Sequence, residues 1–255
     1  MTTYIPERAM LIYAHPDDIE FSVAGTAALW ANHGCEVIYV VITDGNVGSH
    51  EEGMTSVRIA EIRREEQRAA AETAGAKECI FLGYHDGLLQ PTLELRKDLV
   101  RLIRRYKPTV VVCGDPTIYF PNNRRINHPD HRAAATAAID AAFPACEMPL
   151  LYPDLEAEGL APHKVNYVYV SNSQEANFYV DITATLPIKL QALRQHKSQL
   201  GDWDPTEPIS NWSAEIGSKV GFKHAEGFRR ITLKEPDAEP EAEEPEAEGT
   251  EQVEN

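Results

Sequence analysis

The sequence lacks the features that mark several large classes of protein. No apolar run reaches the about 18 residues that a membrane-spanning helix needs. The four cysteines form no Cys-x-x-Cys pair, which favours reduced, mostly buried thiols over a disulfide framework. The first residues show no charged segment followed by an apolar one, the pattern of a secretory signal. These absences predict a cytoplasmic protein that has no membrane partner.

Basic charge is also scarce. The chain has 24 Lys and Arg against 40 Asp and Glu, a formal net charge of −16. Ten of the acidic residues lie in residues 235–255, which contain no basic and no aromatic side chain. An acidic chain without a basic stripe argues against nucleic acid and against an anionic membrane surface as partners. We predict one domain over residues 1–234 and a disordered, Pro/Glu/Ala-rich acidic tail over residues 235–255.

Short apolar runs alternate with longer segments of helical periodicity along the first half of the chain. The run at residues 37–43 is apolar and β-branched, as expected for a strand that is covered on both faces. This alternation predicts an α/β, Rossmann-like three-layer fold with a mostly parallel sheet in a single domain. The predicted strands are residues 10–14, 37–43, 78–82, 109–113, 165–170 and 177–180. The predicted helices are residues 19–33, 56–74, 93–106, 131–142 and 184–199, followed by a connection at 203–217 and a last folded segment at 224–233.

Two clusters of histidine and carboxylate follow predicted strands. Ala14-His15-Pro16-Asp17-Asp18 comes directly after the first strand, and His128-Pro129-Asp130-His131 comes after the strand at residues 109–113. Ligands of open α/β sheets bind at the carboxyl edge of the strands, so we expect both clusters at one site. A catalytic zinc takes three nitrogen or oxygen ligands and keeps one position open. The clusters therefore predict one shared metal site.

Each cluster also has a structural interpretation. His-Pro-Asp is a common turn, and Asp130 is placed to cap the helix that follows it. The pair of spacings, His-x-x-Asp and His-x-x-His after two strands, favours the metal site. Asp17 is then free beside the metal to act as a general base, and we assign Glu20 no catalytic role. No Gly-x-Gly-x-x-Gly follows a strand, so dinucleotide binding is not supported.

These motifs resemble those of the LmbE-like, PIG-L-type zinc-dependent N-deacetylases, most closely the diacetylchitobiose deacetylase branch. The resemblance covers about residues 8–233, with further matching segments at residues 43–45, 62–66, 82–86 and 196–199. It implies a zinc ion held by His15, Asp18 and His131, with Asp17 as the general base. It also implies that His128 stabilises the oxyanion and can protonate the leaving amine. Asp130 would orient His128 and raise its basicity.

Other residues keep two interpretations. The resemblance places Arg63 and Asp86 against the sugar or the wall of the site, whereas Arg63 alone reads as one charge of a solvated helix face. Asp44 is either a turn residue or a contact to substrate. His196, near a helix end, reads as a partner of the helix dipole.

The resemblance implies an enzyme that releases acetate from an N-acetylglucosamine-containing sugar and that assembles as a homo-oligomer. Three alternatives remain open. The amide can belong to another acylated amino-sugar conjugate, such as a thiol-cofactor precursor. A metal-dependent phosphoesterase would need a second set of bridging carboxylates, which the chain does not obviously have. A non-catalytic, metal-containing sugar-binding protein would not need a free Asp17.

Two tryptophans of the predicted connection also have two interpretations. They would either stack on a sugar ring or pack within the protein: Trp203 and Trp212.

Overall fold

The computed structural model describes residues 4–235, apart from residues 122 and 124. The tail predicted for residues 235–255 lies outside this range except for Glu235. The strands of the described part are β1 Arg8–Tyr13, β2 Glu36–Thr43, β3 Glu78–Tyr84, β4 Val110–Cys113, β5 Tyr167–Ser171, β6 Phe178–Asp181 and β7 Ala225–Thr232. The α-helices are α1 Asp18–Ser22, α2 Ala24–Asn32, α3 Ser56–Thr73, α4 Leu93–Tyr106, α5 Pro129–Asp140, α6 Pro153–Ala157, α7 Leu186–Leu193, α8 Lys197–Leu200 and α9 Thr206–Ser218.

The strands form one sheet in the order β3-β2-β1-β4-β5-β7-β6. The first five strands are parallel, and β7 pairs antiparallel with both β5 and β6. The prediction of a single α/β domain with a mostly parallel, Rossmann-like sheet is confirmed. The chain runs outward from β1 to β3 on one side and then returns to β4 on the other. Such a switch point opens a crevice at the carboxyl ends of β1 and β4.

Strand β1 is buried on both faces of the sheet. Leu11 packs in the core on one side of the sheet with Trp30, whereas Met10 and Ile12 pack in the core on the other side with Leu99. None of these side chains is more than 1% exposed. Successive side chains of a strand point to opposite faces, and burying each large one stabilises the fold by about 1.5–3 kcal/mol. No helix of the described part has the length and apolar character needed to cross a bilayer.

The single helix predicted at residues 19–33 is in fact two helices, α1 and α2, separated at Val23. The Glu226 carboxylate of β7 accepts hydrogen bonds from the backbone N–H groups of Gly25 (3.1 Å) and Thr26 (2.7 Å). A carboxylate at this place satisfies the free N–H groups at the start of α2. The buried Lys189 ammonium in turn donates to Glu226 at 2.5 Å. The partner comes from the far end of the chain, so local sequence did not reveal it.

Two other predicted segments also differ from the structure. The helix predicted at residues 184–199 is divided into α7 and α8, because His196 between them turns inward to the Glu20 carboxylate, 3.1 Å away. The connection predicted at residues 203–217 is wrong, since α9 occupies most of it. Pro208 lies in the first turn of α9, where a proline removes no helical hydrogen bond.

Candidate active site

A cavity of about 1240 Å³ opens at the carboxyl ends of β1 and β4. His15, Asp17 and Asp18 line it from the turn after β1, and His128 and His131 line it from the start of α5. The structure therefore brings together two clusters that lie more than 100 residues apart in the sequence, as predicted.

Three side-chain donors converge on one point of this cavity. His15 Nδ1 lies 3.1 Å from His131 Nε2 and 3.3 Å from Asp18 Oδ2. His131 Nε2 lies 3.1 Å from Asp18 Oδ1. Ligands held tetrahedrally at zinc distances are separated from one another by about 3.3 Å. The donor set of His15, Asp18 and His131 thus has the spacing that one small metal ion requires.

The second ring nitrogen of His15 faces two other carboxylates. Nε2 lies 3.1 Å from Asp86 Oδ1 and 3.3 Å from Asp130 Oδ2. A metal-ligating histidine commonly donates its other N–H to a carboxylate, which fixes the ring and raises its basicity. His15, Asp86 and Asp130 are themselves close enough to hold an ion. However, all three are buried, and Asp130 already accepts from the backbone N–H of Gly87 (2.7 Å). The Nδ1 side faces Asp18 and His131, which both line the cavity, so these residues form a second candidate metal site.

The charges around His15 favour a cation. Burial opposes a positive charge on His15, yet its hydrogen bonds to Asp130, Asp18 and Asp86 raise its pKa to about 12. Burial likewise opposes the negative charge of Asp18, but His131 and His15 hold the pKa of this carboxyl well below its usual range. Arg63 is the guanidinium beside two of the carboxylates at this site, Asp17 and Asp86. The described residues give the site four carboxylates: Asp17, Asp18, Asp86 and Asp130. This excess of negative charge suits a divalent metal.

Asp17 stands in an unusual backbone conformation. Its φ is 93°, in the left-handed region, which costs a non-glycine residue about 1–3 kcal/mol. Its N–H donates to Gln67 Oε1 at 2.9 Å, and Arg63 Nη2 donates to Asp17 Oδ2 at 3.2 Å. Burial raises the pKa of Asp17 to about 6, although Arg63 acts in the opposite direction. A carboxylate with this pKa can take up and release a proton near neutral pH.

Arg63 does not lie on a solvated helix face. Its side chain is 5% exposed, and Nη2 also donates to the carbonyl of Pro16 at 2.6 Å. A Cβ added at Gly45 or Gly48 would lie 2.6 or 2.5 Å from Arg63 Nη1, so only glycine leaves room for the guanidinium. Arg63 lines the cavity, and its main contacts are to the turn that carries Asp17.

His128, and not Asp130, is the N-cap residue of α5. Its Nδ1 accepts the Asp130 backbone N–H at 3.2 Å. A ring nitrogen that accepts carries no hydrogen, so the neutral ring has its hydrogen on Nε2. Burial and the charges of His15 and His131 lower the pKa of His128, which keeps it neutral. The Asp130 carboxylate approaches His128 Nδ1 only to 4.0 Å, too far for the predicted orienting hydrogen bond. Asp130 therefore supports His15 instead.

Of the remaining residues considered in the sequence, two line the cavity and two do not. Asp86 lines the cavity, but its carboxylate faces His15. Asp44 is not among the described residues that line the cavity, and its Oδ1 accepts the N–H of Asn46 in a turn. Trp212 lines the cavity, whereas Trp203 packs near Phe21.

Sequence reasoning did not identify Gln67, and it did not predict that Glu20 and His196 lie buried behind Asp17. Gln67, Glu20 and His196 are each 0% exposed and hydrogen-bonded in a row, so His196 is not merely a helix-dipole partner. A signal for Gln67 was present, because it follows Ile59 and Arg63 at intervals of four on α3. Residues four apart share one face of a helix, and this is the face that α3 buries.

A free carboxylate beside three nitrogen and oxygen donors, in a cavity at the edge of a parallel sheet, is typical of metal-dependent hydrolases. Within that class, the chain belongs to the PIG-L family, described as GlcNAc-PI de-N-acetylase, whose model matches residues 10–142. The matched segment contains both histidine clusters.

Individual relatives agree with this assignment. The chain is 32% identical to the diacetylchitobiose deacetylase of Thermococcus kodakarensis over 228 residues, covering 88% of this chain and 83% of that protein. It is 28% identical to a probable N-acetyl-alpha-D-glucosaminyl L-malate deacetylase 2 of Bacillus anthracis, with 74% and 80% coverage. The structure of the N,N'-diacetylchitobiose deacetylase from Pyrococcus horikoshii superposes with a TM-score of 0.83 at 32% identity, covering 89% and 84% of the two chains.

Proposed function

We propose that this protein is a zinc-dependent hydrolase that removes the N-acetyl group of an N-acetylglucosamine-containing sugar, diacetylchitobiose or a related one. The observation that carries the proposal is Asp17, a carboxylate left free beside the donor set of His15, Asp18 and His131. The identity to diacetylchitobiose deacetylases over most of the chain supports the choice of substrate.

The donor set fits zinc in type and in spacing. Two imidazole nitrogens and one carboxylate, with room for a further ligand, are a common catalytic set for this ion. When bound, zinc polarises the acetyl carbonyl and lowers the pKa of water towards roughly 7. Asp86 and Asp130 accept from His15 Nε2 and keep Nδ1 aimed into the cavity.

Asp17 moves the proton. In its deprotonated form it takes a proton from the attacking water, while the oxygen of that water bonds to the acetyl carbon. Arg63 holds Asp17 Oδ2 and leaves the other oxygen available for this transfer. When the C–N bond breaks, the proton taken by Asp17 passes to the leaving amine. The immediate products are acetic acid and the free amine, and Asp17 is again deprotonated. At neutral pH the acid then loses the remaining water proton and is released as acetate.

His128 stabilises the charge that develops on the carbonyl oxygen. Its ring is neutral, and the hydrogen lies on Nε2 because Nδ1 accepts the Asp130 N–H. Within the described part of the chain, Nε2 makes no hydrogen bond. A fixed donor of this kind binds the oxyanion more strongly than the uncharged carbonyl. Since its pKa is lowered, His128 is poorly suited to protonate the amine, the second role that the resemblance implied.

The substrate can be larger than one sugar ring. Small-molecule pockets have volumes of about 300–1,000 Å³, and this cavity is larger. Its lining includes Trp212 and Tyr179, and aromatic rings of this kind stack on sugar faces. The relative named as a probable N-acetyl-alpha-D-glucosaminyl L-malate deacetylase supports a second candidate substrate, another acylated amino-sugar conjugate.

A panel of acetylated substrates tests this proposal. Zinc-loaded protein is incubated with diacetylchitobiose, N-acetylglucosamine and N-acetylglucosaminyl malate, and released acetate is measured. The highest kcat/KM on diacetylchitobiose supports the proposed substrate, and the highest value on the malate conjugate supports the alternative. Tight sugar binding without acetate release would favour a binding protein, and release of phosphate from a phosphate ester would favour a phosphoesterase.

Three further expectations belong to the proposal. We expect a cytoplasmic homo-oligomer with no nucleic-acid or membrane partner. Light scattering coupled to gel filtration measures the subunit number. Removal of residues 236–255 should leave kcat unchanged if the acidic tail has no role in the chemistry.

A further inference from the structure

Three buried polar side chains form a row behind Asp17, on the side away from the cavity. They are Gln67 of α3, Glu20 of α1 and His196 before α8, and each is 0% exposed. None of them is among the described residues that line the cavity. A buried polar group is costly unless it is paired, so the contacts within this row need an explanation.

The row is continuous from His196 to the Asp17 backbone. Gln67 Oε1 accepts the Asp17 N–H at 2.9 Å, and Gln67 Nε2 donates to Glu20 Oε1 at 3.0 Å. Glu20 Oε2 lies 3.1 Å from His196 Nε2. His196 Nδ1 has no hydrogen-bond partner among the described residues, whereas Nε2 faces a carboxylate. Nε2 therefore carries a hydrogen and donates it to Glu20.

The row gives the Gln67 amide one orientation. An amide has a donor end and an acceptor end, and a rotation of 180° exchanges them. The Glu20 carboxylate only accepts, so it selects the NH₂ end of Gln67 and leaves the oxygen to face the Asp17 N–H. After the rotation, two donors would meet at Asp17 and two acceptors at Glu20. His196 fixes the second oxygen of Glu20 and so holds the carboxylate in place.

We propose that Gln67 is a positioning residue for the reaction, which holds the Asp17 backbone in the left-handed conformation that aims its carboxylate into the cavity. Glu20 and His196 act through Gln67 by fixing its amide. The inference rests on the proposed function, because it takes Asp17 as the general base. It also predicts that the two neighbouring aspartates respond differently to loss of Gln67. The Asp18 carboxylate has its own support, because its Oδ2 accepts the backbone N–H of His15 at 2.8 Å. Loss of Gln67 should therefore move Asp17 more than the metal donors.

The first test compares Gln67→Leu with Gln191→Leu, a glutamine at an exposed position of α7. Leucine cannot accept a hydrogen bond from the Asp17 N–H. The left-handed backbone conformation of Asp17 then loses the hydrogen bond that holds it. A reacting group displaced by about 1 Å costs up to about 10²-fold in rate. We expect kcat for acetate release to fall by about this factor in Gln67→Leu, with KM and bound zinc unchanged. Gln191→Leu should match the wild type.

The second test restores the hydrogen bonds with the partners exchanged. Gln67→Glu alone sets two carboxylates against each other and should lower kcat. Adding Glu20→Gln supplies an amide that donates to the new carboxylate and accepts from His196, while the carboxylate still accepts the Asp17 N–H. We expect the double variant to recover kcat relative to Gln67→Glu. A residue that only filled space would give no such recovery.

Crystal structures of zinc-loaded wild type and Gln67→Leu separate this inference from the proposed function. If the wild type releases no acetate from any substrate, the proposed function fails, but the φ of Asp17 still tests the positioning. A negative φ in Gln67→Leu supports the inference, and an unchanged φ near 93° overturns it. Three kinetic results would also overturn it. The first is an unchanged kcat in Gln67→Leu when the wild type is active, and the second is a loss of bound zinc in Gln67→Leu equal to the loss of kcat. The third is a double variant whose kcat is no higher than that of Gln67→Glu. A Gln67→Leu protein that does not fold, with no recovery in the double variant, would make Gln67 a purely structural residue.

Discussion

Replacing His128 by asparagine should remove the oxyanion donor without disturbing the helix that carries it. His128 is the N-cap of α5, and its Nδ1 accepts the Asp130 N–H. Asparagine is among the best N-cap residues, so it can accept the same N–H. Its shorter side chain has no counterpart of Nε2. The change therefore separates capping from catalysis.

The size of the effect follows from the role of the lost donor. Loss of one oxyanion donor lowers kcat by about 10²–10³-fold, or about 2.7–4 kcal/mol of transition-state stabilisation. KM should change little, because the donor acts on charge that develops only in the transition state. Stability should also change little, since the cap is retained and the His128 side chain is 42% exposed.

The assay measures kcat and KM for acetate release, together with bound zinc and the melting temperature. Full zinc content with a kcat that falls less than about tenfold would refute the oxyanion role, because the expected loss is at least about a hundredfold. Loss of zinc in His128→Asn would instead identify His128 as a metal ligand. The ligating atoms of His15, His128 and His131 lie within 4.8 Å of one another, so this outcome is physically attainable.

Three other perturbations test the surroundings of the site. Asp130→Asn weakens the support of His15 and should lower zinc affinity by about 10–100-fold in a chelator competition, whereas Asp44→Asn, in a turn outside the cavity, should leave it unchanged. Because burial raises the pKa of Asp17 to about 6 and a base works only when deprotonated, kcat/KM should fall as the pH drops through that pKa. A bound cation would act in the opposite direction and lower this pKa, so an acid limb centred above pH 7 would contradict the assignment. Gly48→Ala places a Cβ 2.5 Å from Arg63 Nη1 and should displace the guanidinium from Asp17, lowering kcat for acetate release roughly tenfold.

Much of the fold was predictable because it depends on local patterns. The apolar run of β2 and the amphipathic pattern of α4 each identify one element, and α4 spans the predicted residues 93–106. Alternation of such elements implies parallel crossovers, and parallel strands bring the ends of β1 and β4 to one edge. The meeting of the two histidine clusters therefore follows from the pattern of elements.

The rest depends on contacts between distant residues. Glu226 caps α2 from 200 positions away, and His196 reaches Glu20 across 176 positions. The first contact lies where the helix predicted at residues 19–33 is divided, and the second where the helix predicted at residues 184–199 is divided. The local periodicity of each segment is that of one helix. The partners of Asp130 likewise depend on how the loop after β3 packs against α5, because the N–H groups of Gly87 and Leu89 meet its carboxylate. Local spacing predicted Asp130 in the site but not the imidazole it supports.

The most direct test of the account compares wild-type protein with Asp17→Asn, each stripped of metal and reloaded with one zinc per chain. Acetate release from diacetylchitobiose is measured at neutral pH with zinc content confirmed after the assay. The account predicts release by the wild type, none by metal-free protein, and a loss of activity in Asp17→Asn with zinc still bound. Equal release by the wild type and Asp17→Asn would contradict the assignment of the general base, and release by the metal-free wild type would contradict the metal site.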